Sequence, residues 1–223
     1  MQQCMDERGF LQSAPMPASS AAAAPRKARP RPDADAQRAA LTPERWIEAA
    51  TEVLVDQGID HVRVDVLATQ LGVTRGSFYW HFKDREELLR AVLASWRESA
   101  TIALTHRLEQ AQADPRQQLR DVLSLPFRGR AAARAARIEL AIRAWARRDT
   151  MARYAVDEAD AARLAHIAQI FSSMGFSLTE ARARAVMAYG LVVAESVAPK
   201  LDTLVQREWR NGYIEQVLAE KAA

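Results

Sequence analysis

Between Leu67 and Leu89 the chain reads Leu-Ala-Thr-Gln-Leu-Gly-Val-Thr-Arg-Gly-Ser-Phe-Tyr-Trp-His-Phe-Lys-Asp-Arg-Glu-Glu-Leu-Leu. The groups in it that can do chemistry are hydrogen-bond donors and aromatic rings. Arg75 can bond guanine O6 and N7 together, and Ser77 can meet a base or a phosphate. Tyr79 offers a hydroxyl to phosphate, Trp80 a ring to a sugar or a thymine methyl. His81, Lys83 and Arg85 are spaced to hold backbone phosphate. Thr74 stands at the entry, and Gly76 lets the backbone come close to a duplex, at a helix-propensity cost of about 1 kcal/mol relative to alanine. Taken singly, Arg75 is a solvated surface charge and Tyr79 and Trp80 are half-buried aromatics. Two adjacent large rings cannot both face one small core, so the combination favours a surface that reads DNA.

Such a surface needs elements to present it. Thr42-Pro43-Glu44 supplies an N-cap, a proline at the first helical position and an acid for the helix dipole. Trp46, Ala49, Ala50, Val53 and Leu54 then recur at helical spacing until Gln57-Gly58. Val62, Val64, Leu67, Ala68 and Leu71 mark a second helix, ended by Gly72 in a left-handed cap. Thr74 caps a third, running to about His81, in which Phe78 and Phe82 fall four residues apart and plug into the core of the first two. That anchoring turns Arg75, Gly76, Ser77, Tyr79, Trp80 and His81 outward. Asp84 opens a long fourth helix with Glu87 as its capping partner. Further helices are expected from Asp114-Pro115 and over about 131–148, 150–174, 178–198 and 203–220, with Ser177 and Glu180 framing a second capping box. No strand-like alternation occurs. The expected fold is all-α with about nine helices: a tail over 1–40, a three-helix helix-turn-helix domain over 41–88 (motif about 63–82), and a helical C-terminal domain over 89–223.

Composition narrows the alternatives. The tail is rich in alanine, proline and serine and carries Arg26-Lys27-Ala28-Arg29-Pro30-Arg31, either extra phosphate contacts or a solvated leader. The net charge is +3, yet residues 41–100 hold seven basic and ten acidic groups. Between Thr74 and Lys83 there are two cations and no acid, and groove binding needs cations at the phosphates rather than a basic average. The single cysteine, Cys4, excludes an internal disulfide. His61, His81, His106 and His166 have no metal-ligand spacing, and the eight glycines make no phosphate loop or dinucleotide fingerprint. Hence no catalytic residue, metal or cofactor is assigned. The longest charge-free apolar run of the C-terminal half, Ala185–Ala194, falls short of the roughly 20 residues that span a bilayer. With no apolar stretch at the N-terminus, a cytoplasmic protein with no membrane partner is expected.

The stretch resembles the tetracycline-repressor (TetR) family of bacterial transcription regulators through Leu67-Ala68, Leu71-Gly72-Val73-Thr74, Gly76-Ser77-Phe78-Tyr79-Trp80-His81-Phe82 and the following Lys83-Asp84-Arg85-Glu86-Glu87-Leu88-Leu89. The resemblance covers about 41–100. It implies contacts to double-stranded DNA from Arg75, Ser77, Tyr79, Trp80, His81 and Lys83 or Arg85. At the start of the second helix, where family members often present hydroxyl or basic groups, this chain has Arg63, Val64 and Asp65. Arg63 can take the phosphate role; Asp65 cannot.

One recognition helix reads few base pairs, so a homodimer on a palindromic operator is expected. The run from Ala185 to Ala194 is apolar all round, and the last helix carries a stripe through Trp209 and Tyr213. Met187, Leu191, Ala194, Val205, Trp209 and Tyr213 are therefore the expected interface; both helices being internal to a monomer is the alternative. By the resemblance, Trp96, Phe127, Trp145, His166, Phe171, Met174 and Tyr189 would line a pocket for an unidentified small-molecule effector. From the residues alone each is equally at home in ordinary packing. No charged cluster marks a ligand class, and the arginines from Arg128 to Arg153 read as a solvated helix face, the alternative being a region that binds an acid or phosphate. The function implied is a ligand-responsive repressor. A helical protein-interaction module with a head that does not read DNA is the alternative.

Overall fold

The computed structural model describes residues 41–109, 114–124, 129–197 and 203–220. Among them are nine α-helices and no strand, as the sequence pattern predicts. The N-terminal tail, with Cys4 and the arginine cluster, and Phe127 and Arg128 lie outside the described residues.

Helix α1, Pro43–Gln57, buries the expected Trp46, Ala49, Ala50, Val53 and Leu54. Thr42 holds the N-cap position without capping through its side chain. Instead a hydrogen bond from Thr42 holds the exposed Glu44 carboxyl below its ordinary range. A 3₁₀ turn, Ile59–His61, leads to α2, Val64–Gln70. At Gly72 φ is +68°, a conformation that L side chains rarely adopt, and the chain reverses there into α3, Arg75–Phe78. That third helix is shorter than expected. Its ladder tightens after one turn, with Tyr79 N–H bonding Gly76 O at 3.2 Å. The chain must then curl so that Phe82 returns onto Phe78, where the rings stack with centroids 5.5 Å apart. Trp46 meets Phe78 edge-on at 5.3 Å. Removing so fully buried a ring costs about 3–5 kcal/mol, so Phe78→Ala would loosen α3 from its support.

The remaining helices are α4 (Arg85–Glu109), α5 (Pro115–Ser124), α6 (Arg130–Ala146), α7 (Thr150–Ser173), α8 (Leu178–Val197) and α9 (Leu204–Ala219). Their ends carry local capping chemistry. Asp84 accepts from Glu87 N–H at 2.9 Å, while the Glu87 carboxylate reaches one residue further than expected, to Lys83 N–H at 2.6 Å. The Ser177–Glu180 box forms reciprocally, and Thr203 and Gln206 make another.

The apolar interior forms two clusters. One joins α1–α4 to Ile142, Trp145 and Ala146 of α6 and to Ala152, Ala155 and Val156 of α7. The other gathers α5, α8 and α9 around Ile167, Ala168, Ile170 and Phe171 at the far end of α7. The core under α3 therefore runs on into α6 and α7. No helix among the described residues is long and apolar enough to cross a membrane.

Candidate nucleic-acid interface

Phe78 and Phe82 are buried, so the rest of the α3 segment is held from behind. Trp80 stands 84% exposed and Tyr79 58%, the latter leaning its ring edge-on against Phe78 at 5.2 Å. Arg75 and Gly76 are exposed and His81 is half-buried. Ser77 departs from the sequence reading. It is 5% exposed, not outward-facing, and its hydroxyl lies 3.3 Å from Thr74 Oγ1. A four-residue helix supported by two phenylalanines puts the neighbour of Phe78 partly under the same cover, and a small side chain fits there. The same pairing takes the Thr74 hydroxyl away from capping. A Cβ on Gly76 would meet only Thr74 Oγ1, at 3.7 Å, so nothing inside the protein demands glycine.

The flanking cations differ in what they do. Among the described residues neither Arg75 nor the Lys83 ammonium makes an ion pair. Arg63 is held by Asp65, through Nε at 3.2 Å and Nη2 at 2.7 Å, in an exposed pair that is cheap to open. Arg85, expected at a phosphate, instead turns inward. Its Nε donates to Val62 O at 2.5 Å and its Nη2 to Ile59 O at 2.7 Å.

The acid excess of residues 41–100 also finds its place. Glu52 is paired with Arg134, Asp56 with Arg137 at 2.7 Å and Asp60 with Arg148 at 2.9 Å. These arginines belong to the stretch read as a solvated face. They bind the head to the body, because the acids of α1 and the turn after it lie against α6 and its C-terminal end.

Deeper in the body a polar network joins α4, α6, α7 and α8. Glu139 accepts from Trp96 Nε1 at 3.2 Å, Arg143 Nε at 2.8 Å and Arg163 Nη1 at 2.9 Å. Asp160 accepts from Arg143 at 2.5 and 2.9 Å and from the Tyr189 hydroxyl at 2.6 Å. Burial pushes the Asp160 carboxyl up, but the hydrogen bonds from Arg143 and Tyr189 outweigh it and hold it below the ordinary carboxylate range. Burial and the bond to Asp160 raise the Tyr189 phenol. The sequence reading did not find this cluster, whose charges pair with one another. The signals that could have found it were the Glu139–Arg143 and Asp160–Arg163 helical spacings.

The residues expected to line a pocket do not form one group. Trp96 and Trp145 belong to the first cluster, Phe171 to the second, with Met174 and Tyr189 packed against it. His166 is half-buried with Nε2 unpartnered, and desolvation lowers its pKa. On the expected interface, Met187, Val205, Trp209 and Tyr213 are exposed, as is Ala194, while Leu191 is half-buried. Trp209 stacks on Tyr213 at 5.6 Å. Ala181, Ala185 and Ala188 fill the inner side of α8.

Residues 47–92 match the model of the bacterial regulatory proteins, tetR family. Over 60 residues, 27% of this chain, the sequence is 50% identical to the HTH-type transcriptional regulator SrpR of Pseudomonas putida, covering 28% of that protein. Over 74 residues, 33% of this chain, it is 34% identical to the tetracycline repressor protein class A from transposon 1721 of Escherichia coli, covering 32% of it. The matched segments thus span about a third of these relatives' length. A Rhodococcus sp. structure assigned to the TetR-family transcriptional regulators superposes with a TM-score of 0.64, at 20% identity, over 80% of this chain and 98% of that one. That likeness is one of fold.

Proposed function

We propose, from the match of residues 47–92 to the model of the bacterial regulatory proteins, tetR family, and from the 50% identity over 60 residues to SrpR, that the chain is a DNA-binding transcriptional regulator acting as a homodimer. One observation carries the proposal. The short helix α3 and the turn after it hold Arg75, Tyr79 and Trp80 outward, with the Arg75 charge unpaired among the described residues and the Trp80 ring open, while two phenylalanines fix the segment from within. An open tryptophan ring and an unpaired arginine on one short segment leave apolar contact and hydrogen-bonding capacity available to a duplex. Gly76, which the interior does not require, leaves the backbone free to approach phosphate. Arg75 is the base reader; Tyr79, His81, Lys83 and Arg63, once released from Asp65, serve sugar and phosphate.

Two such heads on one palindromic operator require a dimer. The exposed Met187 of α8 and the Val205, Trp209 and Tyr213 stripe of α9 are the surface it would use. Repression is the mode that the tetracycline repressor's name supports, and release by a small-molecule effector belongs to the same reading. The shared core of α1–α4 with α6 and α7 offers a physical route from a ligand to the head.

The test is a gel shift of the full chain against genomic fragments, including the DNA upstream of its own gene, with sedimentation to size the complex. Retardation of a discrete fragment by two protomers supports the reading. No retarded fragment across the whole set overturns it and favours a helical protein-interaction module.

A further inference from the structure

Arg85 is the first residue of α4, a place where a cation opposes the helix dipole. Asp84, Glu86 and Glu87 surround it, so its charge is tolerated, but none of these carboxylates takes its guanidinium. The fork points across to the 3₁₀ turn instead, bonding the carbonyls of Ile59 and Val62, 26 and 23 residues back in the chain. Both residues carry side chains buried in the first apolar cluster, Ile59 and Val62 alike. The turn delivers α2, and α2 leads through Gly72 into α3. Two parallel N–H donors on a planar group can bridge two carbonyls three residues apart; a single ammonium cannot hold both in that geometry. Ile59 O also accepts from Val62 N–H at 3.2 Å, so the carbonyl that depends most on Arg85 is that of Val62, and a part-buried carbonyl that loses its donor is costly.

We propose that Arg85 is a positioning residue for DNA reading: it ties the start of α4 to the turn before α2 and thereby sets where α3 stands, without itself touching phosphate. The inference rests on the DNA-binding reading for its consequence, while the clamp itself can be examined without DNA. It also separates Arg85 from Lys83 two residues earlier, whose ammonium remains available to a phosphate.

The full chain and its Arg85→Ala and Arg85→Lys variants are compared in two measurements. Amide hydrogen exchange without DNA reads Leu67, Leu71 and Val73, whose N–H groups are bonded within and just after α2. Exchange in Arg85→Ala should be faster by about tenfold or more, the factor that losing a charge-assisted hydrogen bond brings, and Arg85→Lys should recover only part of it. Binding is then followed from about 50 to 200 mM salt on a duplex selected from a randomised pool by the unsubstituted chain. Affinity should fall in Arg85→Ala with the slope of log K against log salt unchanged. A slope reduced by about one, with full rescue by lysine, would make Arg85 a phosphate contact and overturn the proposal. So would unchanged exchange at the three amides. If the unsubstituted chain selects no duplex, the DNA reading fails and the exchange result still decides the clamp. Should Arg85→Ala not fold, Arg85→Lys alone carries both measurements.

Discussion

The head and the body of this protein treat their polar groups in opposite ways. On α3 and the turn after it, Arg75 and the Trp80 ring are turned out and left without partners among the described residues, Tyr79 leans its ring on Phe78, and the support behind them is apolar. In the body, Glu139, Arg143, Asp160, Arg163 and Tyr189 are turned in and saturate one another, with Trp96 donating into the set. A surface open to another molecule keeps its hydrogen-bonding capacity unspent; the network that holds four helices together spends its own inside. The difference also accounts for the charge puzzle of the sequence. Three of the head's acids are engaged by the body's arginines and others by the head's own arginines and helix ends, so Arg75 and Lys83 face outward without an ion-pair partner among the described residues.

The comparison breaks most visibly at Glu139. Glu139→Ala should leave Arg163 with the Tyr189 hydroxyl and a longer approach to Asp160, and Arg143 with Asp160 and Tyr189, and lower stability by about 2 kcal/mol, read by chemical denaturation. A loss under about 1 kcal/mol would mean that the network is ornamental. Arg75→Ala sharpens the contrast from the other side. It should cost about 1–3 kcal/mol in DNA binding and relax sequence preference, while folding stability stays within about 0.5 kcal/mol. A stability loss as large as the binding loss would return Arg75 to the fold. Smaller effects lie where the two regions meet. Arg134→Ala or Arg137→Ala removes an exposed ion pair worth at most about 1 kcal/mol, and the loss should vanish in high salt.

The smallest effect concerns His166. Desolvation lowers its pKa in the folded state, so below the ordinary histidine value the unfolded chain binds the proton more readily. Its contribution to stability is therefore present at neutral pH and above, and is lost as pH falls through the unfolded value of about 6.5 toward the lowered folded one. His166→Gln should flatten the decline in melting temperature between pH 7 and pH 5. An unaltered decline would assign the pH sensitivity to other groups.

What could be read from the sequence followed from short-range spacing. Phe78 and Phe82 declared themselves as an i,i+4 pair, and the five apolar positions of α1 matched their burial one by one. Gly72 announced its turn. Ser77 was misplaced because a helix of four residues has no settled faces, and the burial of its neighbour drew it under. The inward bonds of Arg85 went unread for another reason: its partners are backbone carbonyls more than twenty residues away, which no side-chain pattern encodes. The arginines of α6 looked solvated because the acids that meet them sit on α1, some eighty residues earlier. Local chemistry was legible; the meeting of distant segments was not.

The five tryptophans have a practical consequence. Trp46, Trp96 and Trp145 are enclosed, while Trp209 is 71% exposed and Trp80 more so. Indole emission shifts to the red in water and to the blue when covered, so the two outer rings act as built-in optical probes. Quenching of Trp80 would report the arrival of a duplex, and a blue shift at Trp209 the closing of two chains against each other. Each event can be followed by light in the native protein, without a label.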